Sequence, residues 1–379
     1  MSEGVFMMKN PLAVFYLILF PLLFVAAGCG SQSESPATTV RDSAEFIVAK
    51  DGSGDFTTIG AALAQSQPGD VIQVKNGIYV EGIDITRSGT SSEPITLINY
   101  PGHSPVIDPG GGAYPSECCT LNGPPRRVEV RAEWIIIEGF EIRHGWDGVK
   151  FLKSHNTIRN NWIHHNRYQG VLLISVNDIL IEGNTIEYNG TDPGACYDRA
   201  WGGESPRHCH AVYLSDYLCT GLANVTISGN MLRNQGGRGI TWNGLGCVSK
   251  STNTVVDSNL IENNSWGMAL YYNVEGARIT NNVFINNSRP DTNDVDWTFI
   301  GIWGSSGNTI TNNEFHTVMP EVAAIQVYDN KSKENDVNNN VWRTAGTLWI
   351  WGGERRTDWE SYPEISGWDV DSDICIGCE

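Results

Sequence analysis

The chain has 379 residues, with 25 Lys and Arg against 43 Asp and Glu and a formal net charge of −18. That balance excludes a nucleic-acid surface, which needs clustered cations to meet phosphate. It makes a polyanionic sugar workable only where a cation or a local basic patch intervenes. Length alone would allow two ordinary domains, so the elements along the chain have to decide the architecture.

Lys9 precedes an apolar run from Leu12 to Ala27 that ends Val25-Ala26-Ala27-Gly28-Cys29. A basic residue, a short apolar stretch broken by Pro21 and small residues before a cut point describe a secretory signal rather than a membrane span. Glu3 is foreign to such a leader, so translation is expected to start at Met7 or Met8. The Ala-Ala-Gly-Cys ending resembles the bacterial lipoprotein box, with Ala26 where that family more often has Leu. The resemblance implies that residues 1–28 are removed and that Cys29 is lipidated, anchoring the protein to a membrane in the periplasm or at the cell surface. An ordinary cleaved signal or a retained anchor are the alternatives. Residues 29–44 read as a flexible tether by composition, and residues 45–379 as one domain.

Residues 56–65, Phe-Thr-Thr-Ile-Gly-Ala-Ala-Leu-Ala-Gln, read as a short amphipathic helix suited to covering an open sheet end. Val71–Val74 and Ile95–Ile98 read as the first strands. From residue 134 onward the chain repeats itself in about eight coils. An apolar residue, two residues, Asn, one residue and an apolar residue recur as Ile158–Asn161–Ile163, Ile181–Asn184–Ile186 and Ile227–Asn230–Leu232. The series continues as Val256–Asn259–Ile261, Ile279–Asn282–Phe284, Ile310–Asn313–Phe315 and Val337–Asn340–Trp342. Ile137–Phe140–Ile142 is an earlier copy without the Asn, and the step from Asn184 to Asn230 is one coil with a large insertion.

Between these come strands such as Gly148-Val149-Lys150-Phe151, Gly170-Val171-Leu172-Leu173 and Ala211-Val212-Tyr213-Leu214. Alternation puts Val149, Val171, Val212, Ile240, Met268, Ile302 and Ile325 on one face. Lys150, Leu172, Tyr213, Thr241, Ala269, Trp303 and Gln326 then face the other way. Strands this short cannot pair within a coil, but stacked coils pair in parallel at about 4.8 Å and bury one apolar column. The fold expected is all-β, a single-stranded right-handed parallel β-helix with a capping helix. The recurring Asn is expected in a tight bend that tolerates left-handed backbone, bonded to the Asn of the next coil. No 3.6-residue period persists, and leucine-rich-repeat spacing is absent.

Nine cysteines less one lipidated leave eight for an exported protein, so disulfides are expected. Cys219 and Cys247 occupy equivalent turns of adjacent coils and are expected to pair, and Cys196 with Cys209 would close the insertion. Cys118, Cys119, Cys375 and Cys378 are left without assigned partners. A zinc site on Cys375-Ile-Gly-Cys378 is disfavoured because no second such pair or paired His lies nearby.

Phe46-Ile47-Val48-Ala49-Lys50-Asp51-Gly52-Ser53-Gly54-Asp55-Phe56 and Gly77-Ile78-Tyr79-Val80-Glu81 resemble the opening of pectin methylesterases. That family's catalytic motifs are missing, so the resemblance implies the cap and first coil but not the esterase chemistry. Pro94-Ile95-Thr96-Leu97-Ile98 through Pro105-Val106-Ile107-Asp108, the coils after it and the tail from Trp359 to Ser372 resemble bacterial β-helix proteins of the pectate lyase and alginate lyase type. This implies a groove along the Gly-started strands and the loops before them. Small residues at the strand starts (Gly148, Gly170, Ala211, Gly239, Gly267) are expected to leave the outer face open to a sugar ring. The insertion, residues 190–209, offers Trp201, Arg207 and His208 as substrate-binding candidates.

β-Elimination from a uronate needs a cation at the C6 carboxylate, a base for the C5 proton and an acid for the leaving oxygen. Arg238, Lys150, Tyr213 and His210 are the candidate catalytic residues: His210 and Arg238 precede their strands in successive coils, and Lys150 lies two coils from Tyr213 on the outer line. The competing structural reading turns His210 inward and makes Tyr213 outer-face packing. A hydrolase would need two flanking carboxylates, and nothing in the spacing of Asp147, Asp198, Glu204 and Asp216 singles out a pair. Trp201, Trp266, Trp303, Trp349 and Trp351 are available to stack on sugars, whereas Trp242 and Trp349 fall inward by register. Calcium is the one candidate cofactor. Asp291 to Asp296 and Asp369-Val-Asp371-Ser-Asp373 are oxygen-rich, but neither completes an EF-type loop, and both read as solvated acidic loops. The expected protein is a monomeric, exported lipoprotein that cleaves an acidic polysaccharide. A non-catalytic carbohydrate-binding β-helix and a hydrolase or epimerase on the same scaffold are the rival readings.

Overall fold

Most strands of this chain are only three or four residues long, too short to bury an apolar side alone. Each pairs instead with the equivalent segment one coil on. The computed structural model describes residues 43–113, 126–191, 209–244, 247, 250–287, 298–318 and 322–327. Beyond these it describes residues 329, 332, 334–344, 349–351, 354–356, 361, 366, 368–369 and 371–376. Three eleven-stranded sheets result. Sheet 1 runs from Glu45–Val48 to Asp336–Asn338, and its strands precede the ladder Asn. Sheet 2 runs from Ile78–Tyr79 to Asp373–Ile376 and follows it. Sheet 3 runs from Ile83–Ile85 to Glu354–Arg356 and holds the Gly-started strands. Sheet 1 has eight strands from Ile135 onward, as the repeat predicts. Pairing is parallel except at the end of sheet 3, where Trp349–Trp351 meets Glu354–Arg356 in an antiparallel hairpin that the repeat did not announce.

The core is three columns of side chains in register. Sheet 1 stacks Ile137, Ile158, Ile181 and Ile227; sheet 2 stacks Ile142, Ile163, Ile186 and Leu232; sheet 3 stacks Val149, Val171, Val212 and Ile240. All are fully or almost fully buried, and each contributes about 1.5–3 kcal/mol of transfer free energy. Towards the C-terminal end sheet 2 changes to aromatics, with Phe284, Phe315 and Trp342 stacked at 4.8 and 3.9 Å. Trp242 is fully buried, as expected; the side chain of Trp349 lies outside the described residues.

The capping helix spans Ile59–Gln65, three residues shorter than expected. Phe56 instead bridges to Val48 with its ring against Phe46, and Thr58 takes the N-cap, accepting from the Ala61 amide. Glu81 accepts from the Ile59 and Gly60 amides as well, which satisfies the donors a helix start leaves open.

The Asn ladder is continuous. Each Oδ1 from Asn184 to Asn340 accepts both the backbone and the side-chain N–H of the ladder Asn one coil earlier, at 2.9–3.1 Å. The left-handed residue, however, is the one before it: Asn160, Gly183, Gly229, Ser258, Asn281, Asn312 and Asn339 have φ of 54–63°. The ladder Asn must turn its amide inward, so the bend falls on its exposed predecessor. A second ladder, Asn166, Asn189, Gln235, Asn264 and Asn287, closes the next corner; each member follows one of the first ladder by five residues, so the same period ran unread in the sequence, over fewer coils and with Gln235 in place of Asn.

Cys219 and Cys247 form a disulfide with Cα atoms 5.2 Å apart. Cys209 and Cys375 are also disulfide-bonded, while Cys196 lies outside the described residues. Asp369 is buried rather than solvated: its Oδ1 accepts from Asn340 Nδ2 at 3.2 Å and from Ser372. Asp371 is tied to Asn338. This acidic segment therefore closes the end of the first ladder. The segment Asp291 to Asp296 lies outside the described residues.

Candidate functional site

The outer face of sheet 3 carries Lys150, Leu172, Tyr213, Thr241 and Ala269 on one line, each one coil from the next. Lys150 and Tyr213 thus stand two strand spacings apart, about 9.6 Å, with Leu172 between them. The line continues to Gly301 rather than Trp303, because Ile300 takes the core position beneath Met268 and Trp303 pairs with Tyr271. Both Trp303 and Ile302 keep their expected faces, but two residues further along the strand.

The strand-start glycines do not open this face. A Cβ on Gly148 would lie 2.5 Å from the Ile163 side chain, and one on Gly170 would lie 2.3 Å from Ile186, so both point into the coil corner. What decides access is the residue two before each core valine or its equivalent. Asp147, Gln169, His210, Arg238 and Trp266 occupy that position in successive coils, all at least 94 % buried. Trp266 lies across the later part of the face: its ring would be 2.9 Å from a Cβ on Gly301, and Ala269 is fully buried. Thr241 is buried too, whereas Lys150, Leu172 and Tyr213 are half-buried. On the other side of Lys150 the line runs to Glu129, buried and paired with Arg127 and Arg131, and to the exposed Asp84, so the part of the floor between those acids and Trp266 is Lys150–Leu172–Tyr213.

The buried column is connected. Asp147 is ion-paired with Arg127 and accepts from the Gln169 amide at 3.4 Å. Burial pushes the Asp147 carboxyl up, against the pull of Arg127. Arg127 also meets Glu129, which binds Arg131. Gln169 Oε1 accepts the His210 amide at 2.6 Å. His210 Nδ1 lies 3.3 Å from the Arg238 amide N–H, which donates to it, and 3.3 Å from Thr241 Oγ1. This network assigns the ring proton to Nε2. The imidazole centroid lies 5.1 Å from the Tyr213 ring, whose hydroxyl accepts from Asn243 Nδ2 at 3.2 Å. The Arg238 guanidinium lies 4.4 Å from the Trp266 ring and 5.3 Å from the Tyr271 ring.

His210 thus packs on the Tyr213 ring and accepts from the Arg238 main-chain amide, while the Arg238 side chain lies on Trp266 and Tyr271 and Lys150 stands across Leu172. Trp201, Arg207 and His208 lie outside the described residues. Gln169, Asn243 and Tyr271 escaped sequence reasoning. Gln169 was findable, since it stands before Gly170 as His210 stands before Ala211. Among the described residues no cluster of three or more His, Cys, Asp or Glu is arranged to hold a metal ion.

A continuous three-sheet parallel solenoid with side chains gathered on one outer face defines the class as a parallel β-helix. The chain belongs to the right-handed β-helix family, whose model matches residues 128–342. A second model, the Pel9A-like right-handed β-helix region, matches residues 47–204. A probable pectinesterase of Arabidopsis thaliana is 36% identical over 94 residues, 23% of this chain and 32% of that protein. Pectate lyase L of Dickeya chrysanthemi is 27% identical over 199 residues, 48% of this chain and 45% of that protein. The chain thus matches less than half the length of either relative. Among solved structures, pectate lyase Pel9A superposes with TM-score 0.50 at 17% identity, covering 80% of this chain and 76% of that one. The surface adhesin PfbA of Streptococcus pneumoniae gives 0.53 at 11%, covering 75% and 74%. At these identities the structures share the fold.

Proposed function

We propose that the floor between Lys150 and Tyr213 binds a uronate-containing polysaccharide and that the protein cleaves it by β-elimination. The observation that carries this reading is the spacing. A cation and a phenol stand two strand spacings apart across one half-buried leucine, which leaves room for a sugar ring between the two side chains, with Trp266 over the later part of the face. A ring lying on Leu172 meets Lys150 on one side, which neutralises its C6 carboxylate and acidifies the C5 proton. The Tyr213 oxygen, held by Asn243, takes the C5 proton as it gives its own hydroxyl proton to the departing O4. The C5–H electrons form the C4=C5 double bond, the C4–O4 bond breaks, and the phenol ends as it began. His210 and Arg238 are positioning residues in this reading: the first packs on the Tyr213 ring, the second clamps Trp266 and Tyr271. The similarity to pectate lyase L supports a pectate-like substrate. A lipid on Cys29 would hold the enzyme at a membrane.

Incubation with polygalacturonate, alginate and glycosaminoglycans tests the reaction. One of them should yield the ultraviolet absorbance of an unsaturated uronide, and Tyr213→Phe or Lys150→Ala should lower that rate at least about a hundredfold. Reducing ends without the absorbance would replace the lyase by a hydrolase. A second reading has its own support, because His210 and Arg238 are buried and held in a network. It is a non-catalytic sugar-binding β-helix, and binding without turnover would establish it.

A further inference from the structure

A second groove lies on sheet 1, away from the face just described. Its volume is about 730 Å³, within the range of small-ligand sites. The floor alternates in register: Ile136, Thr157, Leu180 and Thr226, one per coil, all half-buried. One wall is a column of left-handed residues, Trp134, His155, Asp178 and Asn224, with φ of 56–61°. Asp and Asn tolerate that conformation, His is also found in it, and a bulky Trp adopts it at a cost of order 1–3 kcal/mol. Core packing does not account for Trp134, which is half-buried and lines the groove. Its indole is backed by the His155 ring at 4.3 Å and 5°, and His155 Nδ1 lies 3.3 Å from Asp178 Oδ2. Asp178 Oδ1 in turn accepts from Asn224 at 2.9 Å.

We propose that this groove binds an uncharged glycan chain lying along the coil axis. The braced indole presents its opposite face to a sugar's C–H face. Ile136 and Leu180 meet apolar ring surface, and Thr157, Thr226 and Asp178 meet hydroxyls. Asp178 makes the groove unfavourable to a uronate, so its ligand differs in charge from that of sheet 3, and the two readings stand or fall separately.

Calorimetric titration with xylohexaose, cellohexaose, mannohexaose and hexagalacturonate tests it. At least one neutral hexaose should bind, with Kd raised tenfold or more in Trp134→Ala and in Thr226→Arg and unchanged in Lys150→Ala. Thr226→Arg only adds a side chain over an open floor, so the test survives if Trp134→Ala fails to fold. Four results would overturn the proposal. None of the neutral sugars binds; affinity follows Lys150 instead of Trp134; hexagalacturonate occupies the groove more tightly than they do; or Thr226→Arg abolishes self-association in sedimentation without affecting any sugar, which would assign the groove to a second copy.

Discussion

His164 and His165 show how single side chains on this scaffold become sensitive to pH. Their Nδ1 atoms lie 2.7 Å apart, which leaves room for one shared proton, and His164 Nε2 lies 3.2 Å from Glu141. Burial pushes both rings below the ordinary histidine value, and each has a further histidine against it, His165 beside His164 and His144 beside His165. Glu141 and Glu187 oppose that shift without overcoming it. A folded-state value below the unfolded one means that the unfolded chain binds protons the fold refuses. Stability from this pair is therefore complete above about pH 6.5 and is lost as pH falls through the lowered values. Thermal unfolding measured from pH 7.5 to 5 should show the loss. His165→Asn, which tolerates the left-handed backbone there (φ 49°), should roughly halve its slope. An unchanged slope would mean that the pair does not titrate as described. Neither the contact nor the shift was legible in sequence, since adjacent histidines in a strand end read equally well as two solvated residues.

At the scale of the element, the strands are held less by their own few residues than by the corners between them. Asn230 accepts from Asn184 twice and donates to Ile181 O, Ser228 O and Asn259 Oδ1. Asn230→Ala would strand several buried polar groups, each costing about 1–3 kcal/mol, and should lower stability by about 3 kcal/mol or more in denaturant titration. Asn160→Gly, one residue before a ladder Asn and exposed at φ 56°, should stay within about 0.5 kcal/mol of the parent. Equal losses from both would contradict the separation of roles between ladder and bend. The ladder was legible because its Asn recurs in a fixed apolar frame. Its conformation was not, because a period in sequence says which residue repeats and not which one carries the turn.

For the whole molecule, parallel stacking makes every coil depend on its neighbours, so stability is close to a sum over adjacent contacts. The helix Ile59–Gln65 covers one end, and the Asp369–Ser372 segment closes the ladder at the other. We propose that Cys29 carries a lipid that anchors the protein to a membrane. Cys29→Ser should abolish labelling by a clickable fatty acid and move the protein from the membrane fraction to the soluble one. Labelling that survives the substitution would place the lipid elsewhere or remove it from the account.

By itself the sequence determined the coil and the Cys219–Cys247 disulfide, because a solenoid converts spacing along the chain directly into neighbours one coil apart. For the same reason it put Lys150, Tyr213, His210 and Arg238 within four consecutive coils, with Lys150 two coils from Tyr213. Only the tertiary structure decided which part of the face is accessible. Trp266 closes the floor beyond Tyr213 and the glycines turn into the coil corner, and both depend on side-chain direction at the strand entry, which a period of coils does not encode. The groove under Trp134 belongs to the same class of fact: its residues come from separate coils and share no motif, and only stacking brings them together.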